Sequence, residues 1–354
     1  MENFFAIFPH NGKNGGLRAT FGPRSEAELA FGNPCAKRAL HTVENPLGGL
    51  LRAPGVLVSG MIYLLFKRAV LWIGILSALV QASDAQESGT AERAKKAIRQ
   101  RYNEISTQPL RENGYAAGPE WNLVPGVRLE DIQADFLQGS GNELEGKFCA
   151  AHSSSALAAN TFGPWRNQPE KLNLLGMSGF TSFRFERQCP TGLGGIPPNL
   201  DFLVEGPEIV IGAESKFLEI LTPKKPHFAA SYKPENLPQM EKCWADWMEE
   251  LKEGPEQFLD AAQLVRHYLG LRNQPEFQGK KIILLYIFWE PENAMDFQEY
   301  RQHREELAVF ESKVKKSEVT FVWMTYPQLW DQWESRGFYA DPVREIRKRY
   351  LLSI

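Results

Sequence analysis

A mixed β-sheet flanked by helices, in an α/β domain, is the fold the sequence predicts for residues 86–354, and three observations carry it. Strand patterns recur at residues 178–187, 200–205, 209–218, 280–290 and 318–326. Stretches with helical spacing precede, separate and follow them, giving the order helix, three strands, helices, strand, helix, strand. Two of the strands are joined only by the short Gly-Pro turn "GPE" at Gly206, which makes them a hairpin.

Each element has its own signal. Residues 87–105 are charged and Ala-rich, with Lys and Arg in the middle and at the end, and read as a helix. Residues 128–137 make a second, amphipathic one. After the turn-like "QGSGN", residues 143–160 ("ELEGKFCAAHSSSALAAN") carry small and apolar side chains at helical spacing and predict one continuous helix, with Pro164 as the stop signal just beyond it. The next segment switches to period two: Phe180, Ser182, Arg184 and Glu186 fall on one side, Thr181, Phe183 and Phe185 on the other. A Gly/Pro loop, "CPTGLGGIPPN", leads into the hairpin. Downstream come a Pro- and Lys-rich loop (222–234), helices over 237–251 and 255–271, the strand "KKIILLYIFWE", a long charged helix (294–316), the strand "EVTFVWMTY" and two terminal helices around Trp330 and Ile346. The chain carries no internal repeat.

Composition bounds the function. With 354 residues, 43% of them hydrophobic, the chain has material for one large core. A formal net charge of −3 excludes a globally basic coat, leaving local clusters such as 93–101, 313–316 and 344–349, which read first as solvated helix surface. Cys35, Cys149, Cys189 and Cys243 form no CxxC pair, so neither a zinc module nor a disulfide framework is indicated and a reducing, cytoplasmic setting fits.

The first 85 residues differ from the rest and set a boundary near Ala85. They are Gly-rich and Pro-containing to Pro54, then apolar over 55–80 apart from Lys67 and Arg68. The run 61–85 has the grammar of a secretory signal, but its 12-residue apolar stretch at 69–80 is short against the ~20 residues a bilayer span needs. An export signal or membrane anchor, a buried apolar helix, and non-native sequence upstream of the true start are the three readings. The last is preferred, because a loose stretch precedes the signal-like segment, and no function is built on it.

The chemistry gathers at the hairpin. Asp201 begins one strand; Glu214 and Lys216 stand two apart on the other and project from the same face. The turn at Gly206 and Pro207 lays the start of the first strand beside the end of the second, so the three side chains meet. Two carboxylates suit Mg²⁺, which takes one or two acids, several waters and substrate phosphate oxygens. A lysine beside them serves charge developing on a phosphoryl group. That is the outline of a phosphodiesterase.

These residues resemble the motif of the PD-(D/E)xK nuclease superfamily: Pro198-Asn199-Leu200-Asp201, a 12-residue gap, then Glu214-Ser215-Lys216, with the proline displaced from its usual place directly before the aspartate. The resemblance implies an αβββαβ core, which the elements at 141–290 supply in that order, with a C-terminal strand and helices after it at 294–354. The runs "GKFCAAHSSSALAANTF", "PPNLDFLVEG" and "AAQLVRHYLGL" are similar to a group of uncharacterised bacterial proteins described as restriction endonucleases. What the resemblance implies is hydrolysis of DNA by a Mg²⁺-dependent endonuclease, with Mn²⁺ as substitute and a homodimer as one way to cut both strands. It also implies an acid from the preceding helix, for which Glu143, after the cap residue Asn142, is chosen; the alternative is a residue that only favours the helix start. Gln263 resembles the glutamine some members set near the site, with Arg266 and His267 one turn on. Glu186, from the first strand, is a further metal candidate, against the alternative of a solvent-facing strand residue. Lys224 and Lys225 fit contact with a nucleic-acid backbone or simply a solvated loop.

Other signals are rejected. "GMSGF" is not GxSxG, the serines after His152 do not make a triad, and "TGLGG" lacks the Lys-Ser/Thr of a P-loop. The nine tryptophans read as packing anchors. Two rival functions stand beside the nuclease: a non-catalytic nucleic-acid-binding protein of the same fold, against which the full Asp201, Glu214, Lys216 set argues, and a secreted protein, supported only by the segment at 61–85.

Overall fold

Five strands form one sheet in the order β1 (Ser182–Gln188), β2 (Asn199–Glu205), β3 (Ile209–Lys216), β4 (Lys281–Phe288) and β5 (Thr320–Thr325). β1, β2 and β3 run antiparallel through short connections, while β3 pairs β4 and β4 pairs β5 in parallel across helical crossovers. The mixed α/β sheet expected from the sequence is therefore present, and it is consistent with a restriction-endonuclease-like αβββαβ core. The computed structural model describes residues 89–138 and 143–354. The boundary near Ala85, the signal-like segment and the cap residue Asn142 lie outside the described residues.

Eight helices surround the sheet among the described residues: α1 (Thr90–Ile105), α2 (Leu129–Gln138), α3 (Ser154–Phe162), α4 (Lys242–Lys252), α5 (Ala261–Arg272), α6 (Gln298–Val314), α7 (Tyr326–Ser335) and α8 (Ala340–Tyr350). β3 is buried at every position from Val210 to Ser215, as a strand covered on both faces must be. One face meets α3 and α7 through an aromatic layer in which Phe162 stands 4.3 Å from Phe202, centroid to centroid. The other face meets α5. Edge strand β1 has its Phe185 N–H taken by Asp135 of α2 at 2.9 Å, so the edge is covered rather than left open.

The continuous helix expected over 143–160 is absent. The chain makes turns at Glu143 to Gly146, a single 3₁₀ turn at Lys147–Cys149 and a further turn closed by the Ser153 N–H on the Ala150 carbonyl at 3.0 Å before α3 begins at Ser154. Ser153 caps α3, its hydroxyl accepting the Ala156 N–H at 3.1 Å, and serine's preference for that role over a helix interior explains the break. Other boundaries shift for the same reason: α5 starts at Ala261 because Asp260 accepts the Gln263 N–H at 3.0 Å. No helix among the described residues is long and apolar enough to cross a membrane.

Candidate active site

The sheet register puts the acids in one row. Phe185 pairs Phe202 and Phe202 pairs Ala213; carried one residue further, the same register sets Glu186 opposite Asp201 and Asp201 opposite Glu214. Like charges directly opposite across strands destabilise a sheet, so three carboxylates on three neighbouring strands are an expensive arrangement. The ladder also changes here. The Asp201 carboxylate accepts the Ser215 N–H at 2.6 Å, a side chain taking a bond that backbone otherwise makes.

Glu186 reaches the row through its backbone. Its φ of 50° lies in the left-handed region, which L-residues seldom enter, and it does so inside a strand. Its Oε2 accepts from Asn199 Nδ2 at 3.2 Å. Burial, countered in part by Asn199 and reinforced by Glu143 and Glu214, brings the Glu186 carboxyl up to about 7. Burial, then Glu214 and Glu186, likewise hold the Asp201 carboxyl well above the usual aspartate value. The partly buried Glu186 is therefore part of the acidic group, not a solvent-facing strand residue.

Glu214 stands in a different condition. Its side chain is 2% exposed, with Lys216 Nζ in contact at Oε1 and His267 Nε2 2.6 Å from Oε2. Burial alone would raise its carboxyl, but Lys216 and His267 override that and bring it down to about 2. Burial works against the Lys216 ammonium too, and Glu214, Glu219 and Asp201 more than offset it, keeping the lysine charged. Lys216 Nζ also donates to Gln263 Oε1 at 2.8 Å. Behind the site, Ser215 Oγ lies 2.7 Å from Tyr326 Oη and ties β3 to α7.

The residues expected from the sequence thus divide clearly. Asp201, Glu214, Lys216, Gln263 and Glu186 are together. Glu143 is close enough to act on Glu186, but it sits in a turn before α3, not in the first turn of a helix, and Ser155 Oγ donates to it at 2.9 Å. It borders a cavity of about 330 Å³ whose lining includes Lys147, His152 and Glu219. Lys224, Lys225 and Arg266 line a second hollow at the start of α5. His267 is fully buried, with its ring against Glu214. Its i+4 spacing from Gln263 was the available signal, and only the docking of α5 on β3 gives it its partner. Among the described residues no three or more His, Cys, Asp or Glu side chains come together as a preformed metal cage.

No curated protein and no solved structure is significantly similar to the chain. A family model described as "Restriction Endonuclease associating with ARP" matches residues 85–351, well over half of the sequence and the whole of the sheet and site just described. The chain belongs to this restriction-endonuclease family.

Proposed function

We propose that the protein is a metal-dependent endonuclease of the PD-(D/E)xK type that hydrolyses DNA phosphodiester bonds. The observation that carries the reading is the row Glu186, Asp201, Glu214 with Lys216 beside it. Burial and neighbouring carboxylates raise the Glu186 and Asp201 carboxyls, and a bound cation would offset that cost. The donor set fits Mg²⁺ or Mn²⁺: all ligands are oxygens, and Mg²⁺ binds through one or two carboxylates with waters and phosphate oxygens, needing no protein-only cage. Asp201 and Glu186, with Glu214 and Glu143 at their side, would hold the ion. When bound, it supplies a polarised phosphoryl oxygen and a water of lowered pKa.

The chain's own groups do the rest. Lys216, kept charged by its carboxylate neighbours and aimed by Gln263, offers an ammonium to the negative charge that grows on the phosphoryl oxygens. Lys224, Lys225 and Arg266, which line the hollow at the start of α5, would contact a nucleic-acid backbone, a role that positions the strand rather than reads it. DNA as the substrate rests on the family's description, which also names association with ARP. Incubating the full chain with plasmid DNA, linear duplex, single-stranded DNA and RNA, with Mg²⁺ or with EDTA, tests the proposal. Metal-dependent cutting of DNA is expected; binding of nucleic acid with no cutting under any divalent ion would favour a non-catalytic binding protein.

A further inference from the structure

We infer that His267 is a positioning residue for Glu214, an inference that rests on the metal-site reading above. The two oxygens of Glu214 have different keepers. Oε1 contacts Lys216 Nζ, and Oε2 lies 2.6 Å from His267 Nε2. An ionised carboxylate only accepts hydrogen bonds, so Nε2 carries the proton and donates it. Lys216 ends a flexible four-carbon stem, whereas His267 is a rigid ring on α5; the ring is what fixes the plane of the carboxylate.

Packing alone does not explain the residue. His267 is 0% exposed, and its Nδ1 has no hydrogen-bond partner. Its neighbours on α5, Leu264, Val265, Leu269 and Leu271, are apolar and equally buried. A leucine at 267 would fill the helix–sheet interface with no orphan nitrogen to desolvate. The one polar contact that offsets the imidazole is Glu214. Gln263 and His267, i and i+4 on α5, thus act as a pair: one holds Lys216 and the other holds Glu214, so a single helical stripe sets both ends of the Glu-Ser-Lys segment. Partners that orient metal ligands in this way are typically worth about 10- to 100-fold in metal affinity or activity.

The test measures Mn²⁺ binding to the full chain directly, by calorimetric titration, for wild type, His267→Leu, His267→Gln, Glu214→Ala and the double variant Glu214→Ala/His267→Leu, each checked for a native circular-dichroism spectrum. His267→Leu should weaken Mn²⁺ by about 10- to 100-fold. His267→Gln, which keeps a donor of similar reach, should recover most of the loss. The double variant should bind no more weakly than Glu214→Ala alone, because His267 acts through Glu214. Wild-type affinity in His267→Leu, or a loss that adds in full to that of Glu214→Ala, would overturn the inference. If His267→Leu does not fold, His267→Asn, a donor of shorter reach, replaces it with the same expectations. A wild type that binds no Mn²⁺ brings down both proposals together. A wild type that binds it through His267 and Glu214, yet cuts no nucleic acid, leaves His267 in place and removes only the nuclease.

Discussion

At the scale of single residues, Glu186 is the position where structure and charge are least at ease, with a φ of 50° and a carboxyl brought up to about 7. The folded state therefore binds this proton more tightly than the unfolded chain does. Its favourable contribution is present below pH ~4.5 and is lost as pH rises through 7, leaving a buried charge at higher pH. Glu186→Gln should raise the stability of the metal-free protein at pH 8 by about 1–2 kcal/mol, with the gain vanishing near pH 4.5, while Mn²⁺ binding weakens. Denaturant titrations at the two pH values check the first part and calorimetry the second; a variant less stable than wild type at pH 8 would show that the site carries no uncompensated charge. Asp201, Glu214 and Lys216 were legible in the sequence because period two and a three-residue turn fix which side chains meet. The left-handed backbone of Glu186 was not, since a glutamate in a strand gives no compositional sign of it.

Among the elements, α6 shows how a buried titratable group couples helix packing to pH. His303 lies wholly inside, its Nε2 2.9 Å from Tyr286 Oη on β4 and its Nδ1 unpaired. Burial, with Arg304 adding to it, depresses the imidazole to about 3. The stability of the neutral form is complete above the ordinary histidine value of 6.5 and is lost as pH falls from there toward 3, because only the unfolded chain takes up the proton. His303→Gln should remove about one proton from the stability–pH slope, or roughly 1.4 kcal/mol per pH unit, between pH 6 and 4. Thermal melts across that range test it; an unchanged slope would mean that other groups govern acid unfolding. Strands were placed to within a few residues by alternation and apolar runs. Helix starts were not, because Ser153, Asp260 and the turn before Gln298 interrupt runs that look continuous when only apolar spacing is followed.

For the molecule as a whole, the sheet order comes from the connections: short links gave β1, β2 and β3 their antiparallel pairing, and helix-length crossovers gave β3, β4 and β5 their parallel one. What the sequence could not reveal is long-range closure. Asn160 of α3 donates to Tyr350 Oη at 2.7 Å and the Trp289 indole to the Tyr350 carbonyl at 2.8 Å, so the C-terminal helix seals a core begun nearly 200 residues earlier. The same closure ties α3 and the end of β4 to the C-terminal helix, fixing the sheet that carries the row of acids on which the functional reading depends. Its most direct test is the rate of plasmid cleavage in Mg²⁺ by wild type, Glu214→Ala and Lys216→Ala, each confirmed to be folded. Cleavage by wild type that EDTA abolishes, with a loss of at least about 100-fold in both variants, is expected. Cleavage that persists in a folded Lys216→Ala or Glu214→Ala protein would contradict that reading, because the phosphodiester bond would then be broken somewhere other than at this site.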